Sequence, residues 1–284
     1  MLLREIKNIF HAELDSLYGK EEVASFFYLL IEQYFQLERF VLALQPNVVI
    51  DEAQETLIFN ALGQLKLEKP IQYILGTTTF MDLELKVTDK VLIPRPETEE
   101  LVRWIISDLK DTLKPVRILD LGTGSGCIPI ALKKSVPIAQ VSAVDISTDA
   151  LHIAKENAII NDVNINFLHA DMLNLSDVLK LTFDIIAANP PYIRELEKKE
   201  MHANVTDYEP EIALFVPDED PLVFYRSIVK FASAHLSRNG FLYLEINQYL
   251  GAQMVALLEA HQYKNIELRK DMYGNDRMLK AVNS

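Results

Sequence analysis

Cysteine is all but missing from this sequence: one residue, Cys127, in 284. A lone thiol cannot close an internal disulfide, and the six histidines form no cluster with metal-ligand spacing. Neither a disulfide framework nor a metal site is expected. Long apolar runs are also absent, none approaching the roughly 20 residues of a membrane span. The opening stretch MLLREIKNIFHAELD is broken by charges where a secretory signal would be continuous. A cytoplasmic protein with no membrane partner is expected, as a monomer. Basic residues are in the minority, 28 Lys and Arg against 41 Asp and Glu, for a net charge of −13. That balance disfavours the phosphate-neutralising surface needed for sequence-independent nucleic-acid binding and suits a basic partner. Glycine is scarce, with nine in the chain, so three of them between positions 122 and 126 carry information.

The length exceeds that of a usual single domain, and the pattern of apolar residues changes near residue 70. Before that point Phe26, Phe27, Leu29, Leu30 and Tyr34, then Phe40, Val41 and Leu44, recur at helical spacing. Residues 1–70 are read as a helical domain that packs or docks a substrate and holds no chemistry of its own. Residues 71–95 are read as a linker containing a β-hairpin, with Asp89-Lys90 as its turn. From 96 to 284 apolar strands alternate with helical segments, the signature of an α/β domain with a mostly parallel sheet. Seven strands are expected: Val116–Leu121, Gln140–Asp145, Ile165–His169, Phe183–Ala188, Gly240–Ile246, Tyr263–Arg269 and Arg277–Val282.

The first chemical signal is Ile118-Leu119-Asp120-Leu121-Gly122-Thr123-Gly124-Ser125-Gly126, an apolar strand running into a glycine-rich turn and then a helix. Glycines there let the backbone turn tightly and let a ligand approach closer than a Cβ permits. A dinucleotide fingerprint needs its third glycine at position 127, which is Cys127, so a nicotinamide dehydrogenase is excluded. An acid at the end of a strand followed by G-x-G-x-G resembles the S-adenosylmethionine loop of class I methyltransferases. On that resemblance Gly122, Thr123, Gly124, Ser125 and Gly126 bind the cofactor. Asp145 ends the next strand, where an acid accepts hydrogen bonds from two ribose hydroxyls. Asp171-Met172 follows the third strand, at the position that contacts adenine in such enzymes. Met172 as a cover for the base stands there beside the alternative of a surface acid next to a core methionine.

The sharpest signal is Asn189-Pro190-Pro191-Tyr192, directly after Phe183–Ala188. Two prolines cannot continue a sheet ladder, so this strand ends in a rigid turn on the carboxyl edge, where ligands bind in open α/β sheets. Rigidity suits methyl transfer, an in-line displacement whose rate depends on holding the attacking nitrogen in place. A planar amide or aromatic amine is a poor nucleophile because its lone pair is delocalised. The Asn189 side-chain oxygen and the Pro190 carbonyl accept hydrogen bonds from its two N–H groups, and Tyr192 covers its flat face. Asn189, Pro190 and Tyr192 are therefore the candidate catalytic residues, Asn189, Pro190, Pro191 and Tyr192 the substrate-binding set, and Asn189 also borders the cofactor.

NPPY alone identifies the nitrogen type and is shared with adenine-N6 methyltransferases of nucleic acids. The ordered series Gln72 to Gly76, Leu92-Ile93-Pro94-Arg95-Pro96-Glu97-Thr98-Glu99, Asp120 to Gly126, NPPY, Glu209-Pro210 with Ala213-Leu214, and Asp271 with Gly274 and Arg277 resembles the release factor glutamine N5-methyltransferases. The resemblance covers about residues 70 to 282. It implies a class I methyltransferase fold, Rossmann-like with a seven-stranded sheet, S-adenosylmethionine as cofactor, and the glutamine of the Gly-Gly-Gln motif of peptide chain release factors as substrate. Arg95, Glu97 and Thr98 then either order the cofactor entrance or form a structural turn with an ion pair. The chain departs from many relatives at Phe215 to Pro221, where they carry a glycine-rich stretch. An adenine-N6 enzyme, the alternative, needs a basic recognition surface that the acidic balance does not supply; a non-catalytic adapter would not need the NPPY turn.

Overall fold

The computed structural model describes residues 1–175 and 181–284. They divide into two compact units, one formed by residues 1–76 and 202–208, the other by 77–201 and 209–284.

The smaller unit is helical: α1 (Leu3–Tyr18), α2 (Lys20–Phe35), α3 (Val41–Leu44), α4 (Glu52–Lys66) and α5 (Ile71–Leu75). Leu3, Ile6, Phe10 and Leu14 repeat at three and four residues and form the buried stripe of α1. They meet Phe27, Leu30 and Ile31 of α2 and Ile58, Leu62 and Leu65 of α4 in one core. Asp51 caps α4, its carboxylate accepting from the Gln54 backbone while the Gln54 side chain accepts from the Asp51 N–H. Gly76 closes α5 at φ +78°, a left-handed position that a side chain would strain.

The larger unit opens with a hairpin of β1 (Thr77–Phe80) and β2 (Leu83–Lys86). The expected turn at Asp89-Lys90 is corrected: the strands reverse at Met81-Asp82, and 89–90 form a separate turn beyond the hairpin. Met81 and Asp82 take φ of 48° and 63°, the left-handed pair a two-residue hairpin demands. The reading of 71–95 as a linker also changes. Phe80 and Leu85 are buried in the core of the larger unit with Trp104, Ile105 and Leu132.

Helix α6 (Pro96–Leu109) precedes β3 (Arg117–Leu121), α7 (Cys127–Ser135), β4 (Gln140–Asp145), α8 (Thr148–Ile160), β5 (Asn166–His169) and β6 (Phe183–Ala188). Short pieces follow, β7 (Ile193–Arg194), α9 (Ala203–Thr206, in the smaller unit), α10 (Glu211–Leu214) and β8 (Phe215–Val216). Then come α11 (Val223–His235), β9 (Leu236–Glu245), α12 (Gly251–Ala260), β10 (Lys264–Lys270) and β11 (Asp276–Val282). Seven of these strands form one sheet in the order β10-β11-β9-β6-β3-β4-β5. The five from β9 to β5 pair in parallel, and β11 joins antiparallel to both β9 and β10. Alternation sorts the apolar side chains onto the two faces. Leu119, Leu121, Ile186 and Ala188 enter one core, while Ile118, Ile185 and Ala187 enter the other. A sheet covered on both faces explains why the central strands read as near-continuous apolar runs.

Candidate functional site

The carboxyl ends of β3, β4, β5 and β6 meet at one edge of the sheet, and the candidate residues gather there. After β3 the chain turns through Gly122, Gly124 and Gly126 at φ of 77°, 53° and 83°. Gly122 N and Thr123 N both donate to Val144 O, at 2.9 and 3.0 Å, which ties the turn to β4. A Cβ at Gly122 would lie 2.7 Å from Met172 Cε. A Cβ at Gly126 would lie 3.1 Å from both Ala154 Cβ of α8 and Ile130 Cδ1 of α7.

Asp145 ends β4 with each carboxylate oxygen engaged, Oδ2 by Gly124 N at 2.8 Å and Oδ1 by Ser147 N at 2.9 Å. Burial raises its carboxyl above the ordinary value, and those two N–H groups pull it back in part. Asp120, beneath the turn, is fully buried, and neither of its oxygens nor Thr123 Oγ1 has an aligned hydrogen-bond partner among the described residues. Burial pushes the Asp120 carboxyl up to about 7, although the adjacent Thr123 hydroxyl offsets part of that penalty.

A cavity of about 260 Å³ opens over this edge, its walls including Gly122, Gly124, Asp145, Asp171, Met172 and Asn189. A second, of about 40 Å³, is lined by Arg95, Thr98, Gly122, Thr123, Ser125 and Asn189 among others. Gly122, Gly124, Leu92 and Asn189 border both. Pro191 lines the larger cavity, whereas Gly126 and Pro190 line neither. Tyr192 faces a third recess of about 230 Å³ with Glu197, Asn247 and Arg277.

The NPPY turn is held by side chains. Asn189 Nδ2 donates to Thr98 Oγ1 at 3.2 Å, and the Thr98 hydroxyl donates to Glu245 Oε2 at 2.6 Å. The other oxygen of Glu245 accepts from the Tyr192 hydroxyl at 2.9 Å. Glu245 is fully buried; burial raises its carboxyl, while Thr98, Tyr192 and Arg277 pull it back toward the anion. Burial and the neighbouring Glu245 hold the Tyr192 phenol well above its ordinary value, so it keeps its proton and donates. Asn247 Nδ2 donates to the Tyr192 carbonyl at 2.9 Å. Arg277 pairs with buried Asp271 at 3.2 Å, within a turn whose Tyr273 and Asn275 N–H groups also donate to Asp271.

Sequence reasoning missed Glu245. Its signal is one acid ending the apolar strand Phe241-Leu242-Tyr243-Leu244-Glu245. Arg95 pairs with buried Glu209 at 2.6 Å, and Glu209 also accepts from Ile93 N, which joins two segments 114 residues apart. Glu97 lines neither cofactor-side cavity. The departing segment begins as β8, which pairs in parallel with β7.

With this geometry in view, the chain aligns over 283 residues, 99% of each protein, with the release factor glutamine methyltransferase of Flavobacterium psychrophilum at 51% identity. The chain belongs to the release factor glutamine methyltransferase family. The Bacteroides thetaiotaomicron member is 41% identical over 94% of this chain and 95% of that relative. Residues 11–76 match the PrmC N-terminal domain, and 101–207 the Methyltransferase small domain. The crystal structure of a methyltransferase from Pyrococcus furiosus shares the fold at 18% identity, with a TM-score of 0.53 over 82% of this chain and 100% of that one. The chain therefore has the class I, Rossmann-like methyltransferase fold, with a helical N-terminal region that matches the PrmC N-terminal domain. Among the described residues no helix is long and apolar enough to cross a membrane, and no group of His, Cys, Asp and Glu is arranged to hold a metal.

Proposed function

We propose that this chain transfers a methyl group from S-adenosylmethionine to the side-chain amide nitrogen of the glutamine in the Gly-Gly-Gln motif of peptide chain release factors, in the cytoplasm. One observation carries the reading: Asn189, at the end of the central strand β6, borders both cavities beside the glycine turn. A nitrogen held at Asn189 is thereby presented to a ligand on that turn.

The residues fit the cofactor. The left-handed glycines leave a cradle that a Cβ at Gly122 would fill, and Thr123, whose hydroxyl has no aligned partner among the described residues, lines the smaller cavity and suits a polar end of the cofactor. Asp145 would hold the ribose with lone pairs its two N–H partners leave free, Asp171 and Met172 the base, and Thr123 with Ser125 the amino-acid end. When bound, S-adenosylmethionine supplies an electrophilic methyl group on a positively charged sulfur. Asp145 and Asp171, the two acids on the walls of the larger cavity, suit that charge.

The chain's own residues do the positioning. Asn189 Oδ1 and the Pro190 carbonyl accept from the two N–H groups of the substrate amide, favouring the electron distribution of the attacking state. The two prolines fix the turn, and Tyr192 is anchored at both its hydroxyl and its carbonyl.

Mass spectrometry after incubation with S-adenosylmethionine tests the reading, with an intact release factor, a Gly-Gly-Gln peptide and an oligonucleotide as separate substrates. A methyl group on the glutamine of the intact factor is expected. Methylated adenine in the oligonucleotide, with an unmodified factor, overturns it.

A further inference from the structure

Within the reaction proposed above, which nitrogen or oxygen of the Asn189 amide faces the substrate decides whether that turn presents an acceptor or a donor. The amide is nearly symmetric in shape, so its orientation must come from its partners. We infer that Thr98 is the positioning residue for Asn189, and that Glu245 sets the direction in which the Thr98 hydroxyl points.

A carboxylate accepts only, and the Glu245 oxygens each receive one hydroxyl, from Thr98 at 2.6 Å and from Tyr192 at 2.9 Å. The Thr98 hydroxyl has a single proton and gives it to Glu245. Toward Asn189 it therefore has only a lone pair to offer, and it accepts from Nδ2 at 3.2 Å. That commits the NH₂ side of the amide inward and turns Oδ1 outward. Among the described residues nothing donates to Oδ1, and Asn189 lines both cavities. The outward oxygen is the acceptor a substrate N–H needs. Without the hydroxyl at 98 the inward preference disappears, and a flipped amide would set a donor against the substrate's own N–H, a repulsive pairing.

Thr98 and Glu245 lie 147 residues apart on α6 and β9, and Thr98 stands 91 residues before Asn189. None of the three is fixed by its sequence neighbours alone. Thr98 is 2% exposed and Glu245 fully buried, so water does not compete for these bonds.

The test compares Thr98→Val, which removes the hydroxyl at similar volume, with Thr98→Ser, which keeps it. Thr98→Val is expected to lower kcat/KM for the release factor about 10- to 100-fold while Kd for S-adenosylmethionine stays within about twofold, because a donor set against the substrate's N–H opposes both the bound and the reacting state and leaves the cofactor's own contacts intact. Thr98→Ser restores most of that rate. In an Asn189→Ala background Thr98→Val costs nothing further, because the residue it positions is gone. A second readout needs no activity. The side-chain ¹H–¹⁵N amide signals of Asn189, identified by their loss in Asn189→Ala, shift in Thr98→Val and hold their place in Thr98→Ser. Unmoved signals with an unchanged kcat/KM in Thr98→Val, an equal loss in Thr98→Ser, or full additivity in the double variant overturns the inference. Absence of methylation by the unmodified protein would instead sink the functional reading and leave the amide signals to decide the role of Thr98.

Discussion

The glycine turn after β3 and the NPPY turn after β6 leave adjacent parallel strands at the same edge, yet they are built in opposite ways. The first is a backbone structure: its N–H groups bond to Val144 O and to the Asp145 carboxylate on the next strand, and its side chains are small. The second has two residues without an N–H and is held by side chains: Asn189 reaches Thr98, Tyr192 reaches Glu245, and Asn247 donates to the Tyr192 carbonyl. A backbone cradle tolerates many neighbours because only left-handed φ and the absence of a Cβ matter. A side-chain turn depends on each partner, and its chemistry is set by which atom each partner takes.

Substitutions can break this contrast, the strongest first. Asn189→Ala removes one of two acceptors from a partly desolvated site, a loss of about 2 to 4 kcal/mol in the transition state. Single-turnover methylation of a release factor should slow by about two to three orders of magnitude, with cofactor affinity nearly unchanged. An unaltered rate would remove the NPPY turn from the chemistry. Asp145→Ala acts on the other turn and should reverse the pattern. It deletes the proposed ribose acceptor and also frees Gly124 N, so calorimetry should show affinity for S-adenosylmethionine weaker by about 1 to 3 kcal/mol. An equal Kd would contradict both roles. Gly122→Ala is a finer probe of the backbone cradle. An alanine at φ 77° is strained by roughly 1 to 2 kcal/mol, and its Cβ meets the flexible end of Met172. About a tenfold rise in Kd is expected with kcat at saturating cofactor retained; a fall in kcat alone would mean that the two turns are not separable.

The smallest effect concerns pH. The Asp120 carboxyl, raised by burial to about 7, binds its proton more tightly in the folded protein than in the unfolded chain. Its contribution to stability is thus complete below the ordinary carboxylate pKa near 4 and lost as pH rises through about 7. Asp120→Asn should remove this decline. Between pH 4 and 7 the Tm of the ligand-free variant should gain on that of the unmodified protein by on the order of a few degrees. Parallel Tm curves would show that Asp120 does not titrate in this window. Carboxyls held low in the fold, such as Asp271, act in the opposite direction and cancel in the comparison.

The same contrast explains what the sequence disclosed. The bounds of β4 and β6 agree with Gln140–Asp145 and Phe183–Ala188 because an apolar run covered on both faces ends abruptly where turn residues begin. The left-handed turn through Gly122, Gly124 and Gly126 was legible for a similar reason, since a positive φ is a local requirement. The packing of Gly126 on Ala154 was not, because it depends on a helix still to come. The hairpin turn was hidden by Met81, an apolar residue at a left-handed position. Glu245 carried the weakest mark of all. An acid at a strand end has many ordinary uses, and only the folded sheet brings it between Thr98 and Tyr192.

The return of residues 202–208 to the helical unit bears on how the chain is made. Synthesis proceeds from the N-terminus, and domains that are continuous in sequence fold in that order as they emerge. Here the first unit lacks its last piece, including the Tyr208 hydroxyl that donates to Leu67 O at 2.5 Å, until the whole stretch 77–201 has been added. A nascent chain stalled after NPPY would hold an unfinished bundle. Both units are therefore completed late, and the entropy of closing so long an excursion grows only slowly with its length, which makes the arrangement affordable for a chain of this size.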